Sequence, residues 1–193
     1  MILGITGGSG CGKSTLLTVL EEQGCLVLDC DRIYHRLLES DSTLLCAIED
    51  RFPGTVENGT LNRKKLGTIV FDQPDALADL NQITHSAVKA EVIRLLTPTP
   101  TLAAIEAIGL FESGLSALCQ LTVAVTAPEE HRVQRLTARE SVSQEYARSR
   151  IAAQRKSEEY EKLCDYTLVN DSTEAAFREK CLAFLQDRGI IKV

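Results

Sequence analysis

Five short apolar runs, each bounded by turn residues, recur along the chain. They are ILGIT (2–6), CLVLD (25–29), TLAAIEAI (101–108), LTVAVTA (121–127) and YTLVN (166–170). None of them alternates strictly between apolar and polar positions, which is typical of strands that are covered on both faces. The runs therefore predict buried strands.

Between these runs, apolar residues recur at helical spacing. The longest such stretch, 74–96, begins with Pro74 at a first-turn position, and the stretch 14–24 stops at Gly24. A further helical pattern covers 172–189. Strands that alternate with helices predict an α/β fold in three layers, with a central parallel sheet and right-handed crossovers.

Two stretches are longer than a minimal sheet requires. Residues 31–100 place one helical segment after another, and residues 129–163 are rich in charge and poor in large apolar side chains. The second stretch is broken near 141–143, where Ser143 could cap a new helix. We expect a single domain, 1–193, with both stretches inserted as helical subdomains at strand ends, where open α/β sheets bind ligands.

Composition narrows the class of protein. The chain has 193 residues, of which 44% are hydrophobic and 25% charged, and its formal net charge is −6. This balance argues against nucleic-acid and anionic-membrane binders, which rely on clustered cations. The seven cysteines are odd in number and contain no C-x-x-C pair, and we find neither a leader nor a membrane-length apolar run. We expect a cytoplasmic protein, a monomer or weak homo-oligomer, that acts on a small molecule.

The strongest motif follows the first apolar run. The segment GGSGCGKS, residues 7–14 and here called the phosphate loop, matches G-x-x-x-x-G-K-[ST] between a predicted strand and a predicted helix. Its glycines let consecutive amide N–H groups turn inward around an anion, and the positive end of the following helix adds to the same field. The alternative is a glycine turn with a chance lysine, which the complete strand–loop–helix context disfavours.

Residues at the end of this loop and directly after it have expected roles in nucleotide binding. We expect Lys13 to reach the β and γ phosphates of ATP, Ser14 to ligate Mg²⁺, and Thr15 to contact the α phosphate. The other predicted nucleotide-binding residues of the loop are Gly8, Gly10, Cys11 and Gly12.

A pair of aspartates follows the second predicted strand. Asp29 and Asp31 would emerge at the carboxyl edge of the sheet, beside the phosphate loop. Asp31 could accept a proton from an acceptor hydroxyl or orient it, as in-line phosphoryl transfer requires. Either aspartate could equally cap the helix that follows, and capping and catalysis are compatible.

Arginines recur at helical spacing in the 129–163 segment. Arg132, Arg135 and Arg139 lie three and four residues apart, so they would share one helix face. On a mobile lid these cations would neutralise the charge that spreads over a transferred phosphoryl group. The alternative is a solvated helix face whose arginines pair with neighbouring glutamates. The same segment continues with Arg148, Arg150 and Arg155.

Other side chains carry weaker signals. His85 lies in the middle of the 74–96 helix and is by default a packing or surface histidine. Tyr34, His35 and Arg36 could line an acceptor pocket, but an ordinary amphipathic helix explains them equally well.

Two further classes of protein share a phosphate loop. A GTP-binding switch protein would carry N-K-x-D and D-x-x-G motifs, and we find neither; residues 62–65 end in lysine where an aspartate is needed. A non-catalytic nucleotide-binding module would be expected to lack an acid at the position of Asp31. The residues therefore favour a MgATP-dependent kinase of a small hydroxylated acceptor, which could be a nucleoside, a nucleotide or a sugar acid.

The motifs, taken in order, resemble the dephospho-CoA kinase family, a P-loop family similar to the nucleoside-monophosphate kinases. The matching segments span nearly the whole chain: ITGGSGCGKST (5–15), VLDCDRIYHRLLE (27–39), NGTLNRKKLGTIVFDQP (58–74), LNQITH (80–85), RIAAQ (150–154) and DYTLVND (165–171). Many families share the phosphate loop, whereas the later segments in this order are far more specific.

The resemblance implies an activity and a role for each part of the chain. It implies a P-loop kinase core with a helical acceptor-binding insertion, 31–100, and a helical lid, 129–163. The reaction would be transfer of the γ-phosphate of MgATP to the ribose 3′-hydroxyl of dephospho-CoA, the last step of coenzyme A biosynthesis.

The resemblance also implies roles for single residues. Asp31 would be the catalytic base or orienting group, and Arg135 and Arg139 would be lid cations that contact the nucleotide. The implied contacts to the acceptor are Arg63 and His85.

Overall fold

A five-stranded sheet lies at the centre of the fold. The computed structural model describes residues 1–191, whose strands are β1 (Ile2–Thr6), β2 (Leu26–Asp29), β3 (Val56–Glu57), β4 (Thr60–Leu61), β5 (Ala103–Glu106), β6 (Leu121–Thr126) and β7 (Tyr166–Val169). The central sheet has the order β2-β5-β1-β6-β7, and β3 and β4 form a separate two-stranded sheet. The chain returns repeatedly to one sheet after a helical excursion, as the sequence predicts.

Strand β1 lies in the middle of the sheet. It pairs in parallel with β5, where Leu3 opposes Ala104, and with β6, where Ile5 opposes Val123. Leu3 and Ile5 are each 1% exposed. Burial on both faces explains why the strand carries a continuous apolar run.

The helices that follow these strands are numbered along the chain. They are α1 (Lys13–Glu22), α2 (Cys30–Ser40), α3 (Ser42–Arg51), α4 (Arg63–Val70), α5 (Pro74–Leu95), α6 (Glu129–Glu140), α7 (Gln144–Ala152), α8 (Ser157–Leu163) and α9 (Glu174–Asp187). A short 3-10 turn occupies Ser116–Leu118.

The chain folds into two compact units. The first comprises Met1–Leu28 and the chain from Pro100 onward. In it α1 packs against α9, and one apolar core joins these helices to the central sheet. Leu20, Phe177 and Cys181 are fully buried in that core.

The second unit is Asp29–Thr99. Helix α5 packs against α2, α3 and α4, and the β3–β4 hairpin contacts this helical group. Ile48 and Val92 are fully buried, and Phe52 is 2% exposed. This unit therefore has an apolar core of its own.

The predicted α/β fold with its parallel sheet is confirmed, and so are the main helical stretches. Ser143 caps α7, since its Oγ accepts a hydrogen bond from the N–H of Tyr146 at 3.1 Å. The sequence predicted neither the break that separates α8 from α7 nor the hairpin, whose turn residues Asn58 and Gly59 both have positive φ. Within residues 1–191, no helix combines the length and the apolar character that crossing a bilayer would require.

Candidate active site

The phosphate loop lies between the central strand and the first helix, as predicted. Strand β1 ends at Thr6 and helix α1 begins at Lys13, so the loop connects them directly. Gly12, immediately before the helix, has φ of 99°, a left-handed conformation that favours glycine. Ser14 and Thr15 lie in the first turn of α1, Ser14 exposed and Thr15 partly buried. The helix N-terminus therefore follows the loop immediately.

The glycines of the loop also leave room for protein groups around it. A Cβ atom on Gly12 would lie 2.1 Å from Nδ2 of Asn170, and one on Gly8 would lie 2.2 Å from Nη2 of Arg132. Asn170 and Arg132 are 3% and 5% exposed. Close packing thus requires both glycines, and the left-handed backbone conformation is a second requirement at Gly12.

Five consecutive carbonyl oxygens of the loop accept hydrogen bonds from surrounding side chains. Lys13 Nζ donates to Gly7 at 2.7 Å and Gly8 at 3.3 Å, Arg132 Nε to Ser9 at 2.9 Å, Arg135 Nη1 to Gly10 at 3.2 Å, and Asn170 Nδ2 to Cys11 at 2.9 Å. In a trans peptide, the C=O and the following N–H point in opposite directions. The amides of Gly10 and Gly12 therefore point away from Arg132 and Asn170, which leaves them available to an anion.

Lys13 also pairs with a buried carboxylate. Its Nζ lies 3.4 Å from Oε1 of Glu106, and the two side chains are 12% and 9% exposed. Glu106 ends β5, the neighbour of β1, and lies opposite Ile5 in the register. Glu106 is not among the predicted site residues, although a lone acid in the apolar run 101–108 is a visible signal.

The predicted lid arginines occupy two different environments. Arg135 is partly buried, and its Nη2 donates to Oδ1 of Asn170 at 2.9 Å, so it bridges the phosphate loop and the segment after β7. Arg139 is 60% exposed and pairs with Glu140, which Arg150 also contacts at 2.6 Å. The hydrogen bond from Arg139 is the main reason that the pKa of Glu140 is lowered. Arg135 thus contacts the loop directly, whereas Arg139 does not contact it in this conformation.

Gln154, between α7 and α8, also contacts the loop. Gln154 Oε1 accepts from the N–H of Ser9 at 2.8 Å, and its Nε2 donates to Ser9 Oγ at 2.8 Å. Gln154 and Arg132 also line a cavity of about 610 Å³ beside the ends of β6 and β7. Gln154 belongs to the RIAAQ segment, but its partner could not be inferred from sequence.

In the second unit, the two aspartates at the junction of β2 and α2 have different positions. Asp29 is the N-cap of α2, because its Oδ1 accepts from the N–H of Arg32 at 2.9 Å. Asp31 lies in the first turn of that helix and is exposed. The capping alternative therefore applies to Asp29, and the Asp31 carboxylate is not needed to cap the helix.

A basic and aromatic cluster lies elsewhere in the second unit. Arg63 Nη2 lies 3.2 Å from Nδ1 of His35, and the rings of His35 and Tyr34 are 5.9 Å apart. Since arginine has no acceptor, this hydrogen bond requires Nδ1 to be unprotonated, with the ring proton on Nε2. Burial raises the pKa of Tyr34, although the nearby charge of Arg63 opposes that shift. His85 is partly buried on α5.

Comparison with known proteins identifies the same family that the motifs indicate. The dephospho-CoA kinase family model matches residues 1–176. A dephospho-CoA kinase of Leptospira interrogans serovar Lai is 35% identical over 184 residues, covering 93% of this chain and 89% of the relative. One from Carboxydothermus hydrogenoformans is 35% identical over 192 residues, covering 96% and 93%.

Solved structures agree with this result. A Thermus thermophilus protein is 33% identical with a TM-score of 0.84, covering 97% of each chain. A dephospho-CoA kinase from Campylobacter jejuni is 26% identical with a TM-score of 0.69, covering 98% of each chain. A shikimate kinase from Bacteroides thetaiotaomicron, 13% identical with a TM-score of 0.62 and 99% coverage of each chain, shares the fold alone. The chain therefore belongs to the dephospho-CoA kinase family.

Proposed function

We propose that this protein transfers the γ-phosphoryl group of ATP to the ribose 3′-hydroxyl of dephospho-CoA, giving CoA and ADP. Membership of the dephospho-CoA kinase family supports the acceptor. The observation that carries the chemistry is the phosphate loop, whose carbonyls are bound by side chains from other elements. Amides fixed in this way provide a preorganised site for phosphate oxygens.

The residues of the first unit would bind the nucleotide. The amides of the loop, including those of Gly8, Gly10, Cys11 and Gly12, would surround the phosphates, and Lys13 would leave the loop carbonyls to reach the β and γ phosphates. Thr15 would contact the α phosphate. Arg135 and Arg139 would supply positive charge to the transferring group when the lid, 129–163, closes.

Asp31 would act on the acceptor. As the 3′-hydroxyl oxygen bonds to the γ-phosphorus, the bond from that phosphorus to the β–γ bridging oxygen breaks, and ADP leaves with the electron pair. The hydroxyl proton passes to the Asp31 carboxylate and then to solvent. Exposure of Asp31 and the separate cap supplied by Asp29 support this assignment.

Mg²⁺ fits the oxygen donors of the first unit. The hydroxyl of Ser14 and the carboxylate of Glu106 are hard oxygen ligands of the kind that this ion accepts. Ser14 lies in the first turn of α1, and Glu106 is the last residue of β5. When bound, the ion would neutralise charge on the β and γ phosphates.

The second unit would hold the acceptor. The proposed acceptor-binding insertion is 31–100, with Arg63 and His85 as contacts to dephospho-CoA. The exposed Arg63, hydrogen-bonded to His35, offers a cation for the diphosphate of that substrate. Arg63 is proposed as this contact because a diphosphate group carries negative charge, which a cationic side chain can neutralise.

We infer a cytoplasmic location and a protein that works as a monomer or weak homo-oligomer, without nucleic acid or a membrane as partner. The seven cysteines are odd in number and contain no C-x-x-C pair, which supports a reducing compartment. The acidic net charge of −6 supports the exclusion of polyanionic partners.

The test is a phosphorylation assay with a panel of acceptors. Purified protein is incubated with MgATP and one acceptor at a time, which is dephospho-CoA, a nucleoside or shikimate. Mass spectrometry then identifies the acceptor that gains a phosphoryl group. We expect dephospho-CoA alone to gain it, at the 3′ position, with Lys13→Ala as the inactive control. Phosphorylation of another acceptor in preference to dephospho-CoA would contradict the proposal.

A further inference from the structure

All the polar groups of Ser9 are bound by two side chains from the 129–163 segment. Its N–H and Oγ contact Gln154, each at 2.8 Å, and its C=O accepts from Arg132 Nε at 2.9 Å. Arg132 Nη2 also donates to Gln154 Oε1 at 3.1 Å. Ser9, Gln154 and Arg132 therefore form a closed hydrogen-bonded group, here called the Ser9 clamp.

The clamp is largely shielded from solvent. Ser9 and Arg132 are each 5% exposed, and Gln154 is partly buried. Hydrogen bonds that are shielded from water are costly to break, because the buried donor or acceptor that remains has no water to replace its partner. The peptide planes on both sides of Ser9 are thus held in one orientation.

This orientation matters because the loop is otherwise flexible. Glycines flank Ser9 on both sides, and glycine restricts the backbone least of all residues. With the Ser9 carbonyl held by Arg132, the Gly10 N–H is directed away from that arginine. A clamped loop presents this amide to a phosphate at a lower entropic cost than a flexible loop would.

The packing around the clamp agrees with this role. A Cβ atom on Gly10 would lie 2.8 Å from the backbone oxygen of Arg132, and the corresponding atom on Gly8 would lie 2.2 Å from its guanidinium. The glycines on each side of Ser9 thus allow Arg132 to approach the loop closely.

We propose that Gln154 and Arg132 are positioning residues that fix the Ser9 peptides and thereby orient the phosphate-binding amides. The proposal rests on the proposed function, since it assumes that nucleotide phosphates bind this loop. It assigns Gln154 a role in phosphate affinity that acts through its hydrogen bonds to Ser9 and Arg132. It also links the connection between α7 and α8 to the proposed nucleotide site.

The test compares three glutamine variants. Gln154→Leu removes every side-chain hydrogen bond of the residue. Gln154→Glu keeps oxygens that can accept from the Ser9 N–H and from Arg132, while the Ser9 hydroxyl can rotate to donate. Gln144→Leu, at an exposed glutamine at the start of α7, is the matched control. The measurements are the Kd of inorganic tripolyphosphate by calorimetry, the KM values for ATP and dephospho-CoA, and the melting temperature.

We expect Gln154→Leu to raise the tripolyphosphate Kd and the ATP KM about tenfold, which corresponds to the loss of one or two hydrogen bonds. The dephospho-CoA KM should stay unchanged, Gln154→Glu should recover most of the affinity, and the control should match the wild type. Unchanged tripolyphosphate binding in Gln154→Leu would overturn the inference, as would an equal rise of both KM values with a lower melting temperature, or a glutamate variant as weak as the leucine one.

Failure of the proposed function would look different. A wild-type protein that binds neither tripolyphosphate nor ATP would overturn the proposed function, and this inference with it. A wild type that binds both, beside an unaffected Gln154→Leu variant, would overturn this inference alone.

Discussion

Lys13 Nζ lies 3.4 Å from Glu106 Oε1, and neither side chain is more than 12% exposed. The ammonium group also donates to the carbonyl of Gly7 at 2.7 Å. The lysine charge is thus neutralised by a carboxylate and hydrogen-bonded to the backbone of the loop. A bound triphosphate would compete with these partners for the ammonium group. Because the partners belong to the loop and to the neighbouring strand β5, they hold Lys13 beside the predicted phosphate site.

We first predict that the pair affects stability and activity in separable ways. Glu106→Gln leaves a buried ammonium group without its counter-charge, which typically lowers the free energy of unfolding by about 3–5 kcal/mol. The double variant Lys13→Met with Glu106→Gln removes both charges, so it should recover much of that loss while remaining inactive. Chemical denaturation and a turnover assay measure the two effects. If the single and double variants are equally stable, the pair is not coupled as described.

The second prediction separates the roles of Asp29, the N-cap of α2, and Asp31, in its first turn. Asp31→Asn should lower kcat about 100-fold or more, because the amide cannot take the hydroxyl proton, while the melting temperature stays near the wild-type value. Asp29→Ala should lower the free energy of unfolding by about 1 kcal/mol, because α2 loses its N-cap. A wild-type kcat in Asp31→Asn would leave the acceptor without the base assigned to it.

The strand–loop–helix arrangement of residues 2–22 could be predicted because its signal is local. Strand, loop and first helix are contiguous over residues 2–22, so the eight-residue pattern could be checked against its neighbours. The cap at Ser143 was predictable for the same reason, since the residue bonds to an N–H three positions later. The turn Asn58-Gly59 carried an equally local signal for the hairpin.

The partners that hold the loop could not be predicted in the same way. Asn170 reaches Cys11 across 159 positions of sequence, and Gln154 reaches Ser9 across 145. The sequence contains each residue but not the sheet order that brings the ends of β1, β6 and β7 together. From the sequence, the glycines of the loop are therefore explained only by the need to surround an anion. The structure shows a second reason, which is that Arg132 and Asn170 fill the space that side chains at Gly8 and Gly12 would need.

The third prediction concerns the exposed lid arginine. Arg139→Ala should slow the phosphoryl-transfer step about 100-fold, because a cation is lost where negative charge develops, with little change in melting temperature. Its matched control is Arg148→Ala, on α7, whose guanidinium pairs with Glu129 and Glu130 at 3.0 and 2.9 Å. Exposed pairs of this kind contribute little to stability, and we expect near-normal turnover from the control. Single-turnover kinetics measure the step directly, and equal rates in the two variants would contradict a lid role for Arg139.

The fourth prediction arises from the contact that joins the starts of β6 and β7. Asp165 Oδ2 accepts from both the N–H and the Oγ1 of Thr122 at 2.7 Å, and the Asp165 N–H donates back to Thr122 Oγ1 at 3.0 Å. The hydrogen bond from the Thr122 hydroxyl is the main reason that the pKa of Asp165 is lowered, and the Thr122 N–H adds to it. Ionised Asp165 therefore stabilises the folded state.

A group whose pKa is lower in the folded than in the unfolded state stabilises the fold at pH values above its unfolded pKa, which is about 3.9 for aspartate. This contribution is lost as the pH falls from the unfolded pKa through the folded pKa. Asp165→Asn keeps an oxygen for the Thr122 donors but removes the charge. The difference in free energy of unfolding between wild type and Asp165→Asn should thus be largest at neutral pH and shrink below about pH 4. Urea denaturation across this range measures it, with Asp72→Asn, at an exposed aspartate between α4 and α5, as the control. A difference that stays constant with pH would mean that Asp165 acts through its shape and not through its charge.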